Sequence, residues 1–185
     1  MIKELLAETE AHMVRAVEAL EAELRTIRTG RASPALVERV MVDYYGSPTP
    51  LNQLAVISAP EAQLLTVRPY DPGSLADIER AILKSELGLT PANDGRLIRL
   101  PIPRLTEERR RDLAKLVRQR VEDAKVTLRN IRRDALDDLR DFNDEKMISE
   151  DDFYRGKDRF QELTDQYTEQ MDKVGAAKQR EILEG

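Results

Sequence analysis

Apolar residues near the start of the chain recur in steps of three and four: Ile2, Leu6, Met13, Val17, Leu20, Leu24 and Ile27, with Thr9 in the one polar slot of the series. Such steps draw a single stripe along a helix. Glu4, Glu8, Glu18 and Glu21 fill the opposite face, and Gly30 and Pro34 end the pattern, so a helix is predicted over residues 1–29. The period then changes to two. Val40, Val42 and Tyr44 alternate with Met41, Asp43 and Tyr45 ahead of the turn residues Gly46, Ser47, Pro48 and Pro50. Runs at 55–58, 64–68 and 97–102 read as further strands, with Pro101 and Pro103 suited to an edge. One helix interrupts them, opened by Ser74, closed by Gly88 and cored by Leu75, Ile78, Ala81, Ile82 and Leu87.

Helical spacing returns after Thr106, a suitable N-cap followed by Glu107 and Glu108, whose charges favour a helix start. The stripe runs through Leu113, Val117, Val121, Ala124, Leu128, Ile131, Ala135, Leu139 and Phe142 without a Pro or Gly. It predicts a rod roughly 50 Å long. Asn143 and Asp144 mark a turn, and Ser149 with Glu150, Asp151 and Asp152 opens a last helix with the stripe Phe153, Phe160, Leu163, Tyr167, Met171 and Val174. Three amphipathic helices cannot each bury a stripe alone, so the expected fold is α+β: an elongated three-helix bundle from residues 1–29 and 106–185, carrying an inserted small β/α/β sandwich domain over 31–104. The chain crosses between the parts twice, at 29–33 and 103–106. A hinge is expected there, at Gly30, Arg31, Arg104, Leu105 and Thr106.

Composition narrows the function. Apolar residues at 41% and charged residues at 35% of a 185-residue chain exclude disorder along the whole length. The absence of Cys removes disulfides, thiolate metal sites and cysteine nucleophiles. No apolar run approaches ~20 residues and the chain is charged from Lys3, so neither a spanning helix nor a signal peptide is expected, and a cytoplasmic location is. The net charge of −5 argues against a nucleic-acid partner until its distribution is considered. Between 104 and 134, eleven bases (Arg104, Arg109, Arg110, Arg111, Lys115, Arg118, Arg120, Lys125, Arg129, Arg132, Arg133) face six acids, whereas between 135 and 185 fifteen acids face eight bases. Arg111, Lys115, Arg118, Lys125, Arg129 and Arg132 are spaced to form one ridge about a quarter to a third of a turn from the apolar stripe. Arginine predominates, and its planar fork suits phosphate and base faces. The competing explanation is that these bases merely balance the acidic last helix or lie in water.

Other chemistry is sparse. His12, the only histidine, falls beside the first stripe with no nucleophile or acid to make a catalytic set. Glu150, Asp151 and Asp152 suit a helix start better than Mg²⁺, and Asp137, Asp138, Asp141, Asp144 and Glu145 lack the spacing of a calcium loop. The scattered glycines form no phosphate loop. No catalytic residue, metal or cofactor is expected. Tyr44 and Tyr45 should leave at least one ring facing outward, with packing as the default role and base stacking the alternative.

The stretches IRTGRASP (27–34), VDYYGSPTPLNQLA (42–55), LTEERRRDLAKLV (105–117), RNIRRDA (129–135) and ISEDD (148–152) closely resemble, in order and almost end to end, the bacterial ribosome recycling factors. The resemblance implies a roughly L-shaped, non-enzymatic protein whose bundle grips the 23S ribosomal RNA of the large subunit. With the GTPase elongation factor G it would split the post-termination ribosome, releasing mRNA and tRNA, after which initiation factor 3 keeps the subunits apart. A monomer is expected. The matching motifs put Arg129, Arg132 and Arg133 in the RNA-contact group, with Arg110, Arg28 and Arg31 as additions to the ridge residues Arg111, Lys115, Arg118 and Lys125. The family commonly has Pro where this chain has Arg104, and an aromatic, often Trp, where it has Tyr70. Proline at Gly30 is expected to stiffen the hinge and impair splitting more than binding. The alternative function is a non-ribosomal helical scaffold or chaperone-like adaptor that holds a protein partner on the same charged bundle.

Overall fold

The computed structural model describes residues 1–184. Contacts divide the chain into two compact units, Met1–Ile27 with Arg111–Leu183, and Arg28–Arg110.

The first unit is a bundle of α1 (Ile2–Arg25), α4 (Glu107–Asp144, except its first turn) and α5 (Glu150–Glu184). In α1 the buried series is Leu5, Thr9, Met13, Val17, Leu20 and Leu24. The stripe therefore enters at Leu5, and Ile2 and Leu6 are only partly covered. Thr9 is tolerated there because its hydroxyl donates to the Leu5 carbonyl at 2.7 Å. The helix stops four residues earlier than its spacing suggests, since Thr26 donates its hydroxyl to the Glu23 carbonyl at 2.7 Å and leaves Ile27 to be buried in the exit turn.

Thr106 caps α4 as expected, accepting from the Arg109 N–H at 3.1 Å, and Ser149 caps α5 by accepting from the Asp152 N–H at 3.0 Å. The turn between them lies just beyond Asn143 and Asp144, which remain helical. Lys146 adopts φ 57° and donates to the Asn143 carbonyl, while Met147 donates to Phe142, a Schellman closure with lysine in the left-handed position.

Two glycines of α5 lie directly against side chains of α4. A Cβ on Gly175 would lie 2.5 Å from Val121 Cγ2, and one on Gly156 would lie 3.0 Å from Leu139 Cδ2. Both glycines are buried. Leu5, Ala135, Leu139 and Phe160 join all three helices in one core. The α1–α5 contact adds a polar bond, Tyr167 Oη to Glu10 Oε1 at 2.7 Å.

The second unit holds six strands where the alternation suggests four runs. β1 (Met41–Tyr44) pairs antiparallel with β2 (Ser47–Pro50) in the register Val42↔Thr49. β2 reads as turn because of Pro48 and Pro50, but a two-stranded ribbon is all edge and tolerates prolines that a central strand would not. Tyr45 and Gly46 connect the pair, both with positive φ as a tight hairpin turn requires. After the single-turn α2 (Leu51–Leu54) come β3 (Ala55–Glu61), β4 (Leu64–Pro69), α3 (Leu75–Lys84), β5 (Ala92–Asn93) and β6 (Ile98–Pro101). They form an antiparallel sheet of order β3-β4-β6-β5. Val42, Leu51, Leu65, Val67, Ile78, Ile82, Ile98 and Leu100 make the core of this unit. Ser74 sits at the N-terminus of α3 without capping it by its side chain, since its hydroxyl donates to the Asp71 carbonyl at 2.7 Å. The helix ends at Lys84, with Ser85 as its C-cap, rather than at Gly88.

Two outcomes test the bundle. Gly175→Ala gains about 1 kcal/mol of helix propensity but forces a methyl into Val121, a strain of about 1–3 kcal/mol. Net destabilisation is expected by thermal or urea unfolding, with Val121→Ala in the same chain restoring most of the loss. For Tyr167, the bond to Glu10 and burial hold the phenol proton, raising its pKa to about 12. Its stabilising contribution is therefore full below the ordinary phenol range near pH 10 and fades as pH rises towards 12. Tyr167→Phe should lose about 1 kcal/mol at neutral pH, and the gap between the two proteins should close in titrated melts at alkaline pH.

Candidate nucleic-acid interface

At ~100° per residue, the buried stripe of α4 and its basic residues occupy different directions around one rod. Arg129, Arg111, Lys115 and Arg133 point furthest from the stripe, and all four are exposed. Lys115, Arg129 and Arg133 have no hydrogen bond or ion pair among the described residues. These side chains form a solvated strip of positive charge on a helix that is 38 residues long.

Arg118, Lys125 and Arg132 stand closer to the stripe, seven residues apart, and this row lies along the seam with α5. Arg118 Nη1 reaches Gln179 Oε1 at 3.5 Å, Lys125 Nζ reaches Asp172 Oδ1 at 2.5 Å, and Arg132 Nη1 donates to Gln161 Oε1. The single ridge expected from spacing is thus divided in two. Lys125 is the most committed member: its side chain is 17% exposed and is shared between Asp172 and Glu122. The hydrogen bond it donates to Asp172 raises its pKa against the opposing effect of burial. Arg120, on the other flank, pairs with Glu23 of α1 at 3.0 Å. Part of the basic set therefore does balance acids across the bundle.

Arg132 and Arg110 share an unusual feature. The Nε of each is covered and has no acceptor among the described residues. A covered donor without a partner costs about 1–3 kcal/mol, and departures of this kind concentrate where function constrains the residue.

In the second unit, Arg28 is half-buried just after α1 and Arg31 is exposed. Gly30 has φ 80°, and a Cβ there would meet Leu105 Cγ at 3.4 Å. That φ excludes proline, whose ring fixes φ near −65°. Pro at this position would disrupt the backbone instead of stiffening it. Both connecting strands are fastened to the β3–β4 turn: Ala32 N–H donates to the Ala62 carbonyl at 2.7 Å, Ile102 N–H to the Gln63 carbonyl at 2.8 Å, and Arg104 Nε to Gln63 Oε1 at 3.2 Å. Thr106 is occupied as the α4 cap.

The tyrosines have structural work. Tyr45 is 78% exposed, yet its hydroxyl and that of Tyr44 both donate to Asp71 Oδ2, at 3.1 and 3.3 Å. The Gly73 N–H and these hydroxyls hold the Asp71 carboxyl below its usual range. His12 is exposed and accepts from Arg15 Nη2 at 2.9 Å. Among the described residues no His, Asp and Glu group could hold a metal ion, and no helix is long and apolar enough to cross a membrane.

Spacing could not reveal the α5 partners. Gln161, Asp172 and Gln179 lie on a face that reads as solvated, and only the antiparallel pairing of α4 with α5 brings them to the basic row.

Comparison with known proteins extends over the whole chain. A ribosome-recycling factor of Roseiflexus castenholzii is 56% identical over 184 residues, covering 100% of both chains. One of Halalkalibacterium halodurans is also 56% identical, with the same coverage. A solution structure of the ribosome recycling factor matches with a TM-score of 0.78 at 40% identity, covering 100% of this chain and 98% of that one. A second structure, of the T. thermophilus ribosome recycling factor and the E. coli elongation factor G bound to the E. coli post-termination complex, matches with a TM-score of 0.68 at 45% identity, covering 99% of each chain. The family model described as ribosome recycling factor spans residues 20–183. With a family model matched over residues 20–183 and relatives of that name alike along the full length, the chain belongs to the ribosome recycling factor family.

Proposed function

We propose that this protein recycles ribosomes after termination: it binds the large subunit through the basic side of α4 and, with elongation factor G and GTP, separates the subunits in the cytoplasm. The single observation that supports this most is the strip of arginines on a continuous helix, presented to solvent despite an acidic chain. Phosphate oxygens would replace water around Arg129, Arg133, Arg111 and Lys115, and the released counterions would drive binding. Arg132 and Arg118 would add contacts at the edge of the strip, with Arg110, Arg28 and Arg31 as further candidates. Lys125 would serve chiefly to tie α5 to α4. The protein supplies no catalytic group of its own. Its contribution is rigid placement of charge, while the second unit, joined through Gly30, Arg31, Arg104, Leu105 and Thr106, would swing when the GTPase pushes it. An adaptor for an unrelated protein would show no association with ribosomal subunits.

Arg129→Ala and Arg132→Ala should each weaken binding to purified large subunits several-fold while leaving helicity and melting close to the parent, because neither removes a buried apolar contact. Each lost phosphate contact should also lower the slope of log K against log salt by roughly 1. Unchanged affinity in both variants refutes the assigned surface. For the hinge, Arg104→Pro restores the residue common in the family and needs no positive φ. It should alter the rate of subunit splitting at equal binding affinity, with Arg104→Ala as the control for the lost Gln63 bond. Identical splitting rates in parent and Arg104→Pro would show that the stiffness of this strand does not govern the motion.

A further inference from the structure

The three basic residues along the α4–α5 seam meet different chemistry. Lys125 faces a carboxylate, Asp172, whereas Arg118 and Arg132 face neutral amides, Gln179 and Gln161. A carboxylate at contact distance offsets the cation's charge. An amide oxygen orients the guanidinium and leaves that charge available to a phosphate.

The Arg132 contact is the more fully built. Gln161 Oε1 accepts from Arg132 Nη1, and Gln161 Nε2 donates to Asp165 Oδ1 at 2.8 Å, one turn further along α5. This orientation of the amide is the one that satisfies both neighbours. Reversed, its NH₂ would face a guanidinium and its oxygen a carboxylate, placing donor against donor and acceptor against acceptor. Asp165 therefore fixes Gln161, and Gln161 fixes one corner of Arg132. The Nε is covered and makes no hydrogen bond among the described residues, so the contact with Gln161 is the one polar bond that orients the group, and Nη2 and the second Nη1 hydrogen remain without an acceptor among the described residues. An exposed arginine must surrender side-chain freedom to make a defined contact, at a cost of up to about 2 kcal/mol. Here much of that ordering precedes binding.

We propose that Gln161, oriented by Asp165, is a positioning residue for Arg132: it aims the guanidinium at a ribosomal RNA phosphate or base without neutralising it. The inference rests on the proposed function, in which Arg132 contacts RNA.

The test is affinity of the full-length protein for purified large ribosomal subunits at fixed salt, with melting temperature in parallel. Gln161→Ala frees the guanidinium and should weaken binding about 3- to 10-fold. Gln161→Glu keeps the acceptor but brings a negative charge, so it should weaken binding at least as much without lowering the melting temperature. The Gln161→Glu loss tests the need for a neutral partner, and a loss of affinity in Gln161→Ala at an unchanged melting temperature separates positioning from a purely structural role. In an Arg132→Ala background, Gln161→Ala should cause no further loss. Equal affinity for parent and Gln161→Glu, or an undiminished effect of Gln161→Ala when Arg132 is already gone, overturns the proposal while leaving the RNA-binding role of Arg132 intact. Unchanged binding by Arg132→Ala alone overturns the assignment of Arg132, and the role of Gln161 with it.

Discussion

The approach of α5 to α4 is the constraint on which the basic surface depends. Gly175 and Gly156 let the two backbones close until Val121 and Leu139 of α4 lie against bare helix. At a wider spacing, with side chains at both positions, Gln161, Asp172 and Gln179 could not be expected to reach the α4 row. Arg118, Lys125 and Arg132 would then be long, mobile cations in water. The glycines are unfavourable for helix formation taken singly, so their value lies in the tertiary contact. Packing at the core thus determines which of these cations are ordered by α5.

Once the helices are close, the identity of each partner sorts the cations by use. A surface ion pair contributes about 0–1 kcal/mol, but Lys125 is largely covered, and its hydrogen bond to Asp172 outweighs the burial that disfavours its charge. It reads as a tie between helices. Arginines beside glutamines keep their charge and gain direction. Arginines further round the helix, Arg129 and Arg133, have charge without imposed direction. One helix face therefore carries both oriented and unrestrained cations, in a protein whose net charge of −5 discourages indiscriminate binding to polyanions.

Much of this architecture is legible in the amino-acid sequence, because the long helices obey a single period. Thr106 and Ser149 cap the predicted helices, and nearly every apolar stripe residue is covered. The failures have identifiable causes. β2 is hidden by Pro48 and Pro50, whose local preference yields to pairing with β1 in an all-edge ribbon. Gly156 and Gly175 carry no hydrophobic signal, so a stripe written in apolar residues passes over these two contacts of α5 with α4. Spacing gives the angle of each base around α4 and says nothing of its cover by α5. Angle around one helix is a local property, whereas cover by a second helix depends on long-range register that no single-helix periodicity contains.

The same distinction bears on the proposed bend between the units. A swing requires free backbone in both connecting strands at once, and it is limited by whichever strand is more restrained. In one strand, Ala32 is already fastened to Ala62; in the other, Ile102 and Arg104 are fastened to Gln63, and Thr106 caps α4. Only Arg28 to Arg31 on one side and Leu105 on the other lie between such anchors. Gly30, in a left-handed conformation against Leu105, stands where these two short stretches touch. A side chain at Gly30 would both strain its own backbone and press on the opposite strand, so the small residue serves the two strands together. Bending confined to so few residues would leave the sheet unit internally rigid, and a push on that unit would then be carried to the bundle instead of being dissipated within the sheet.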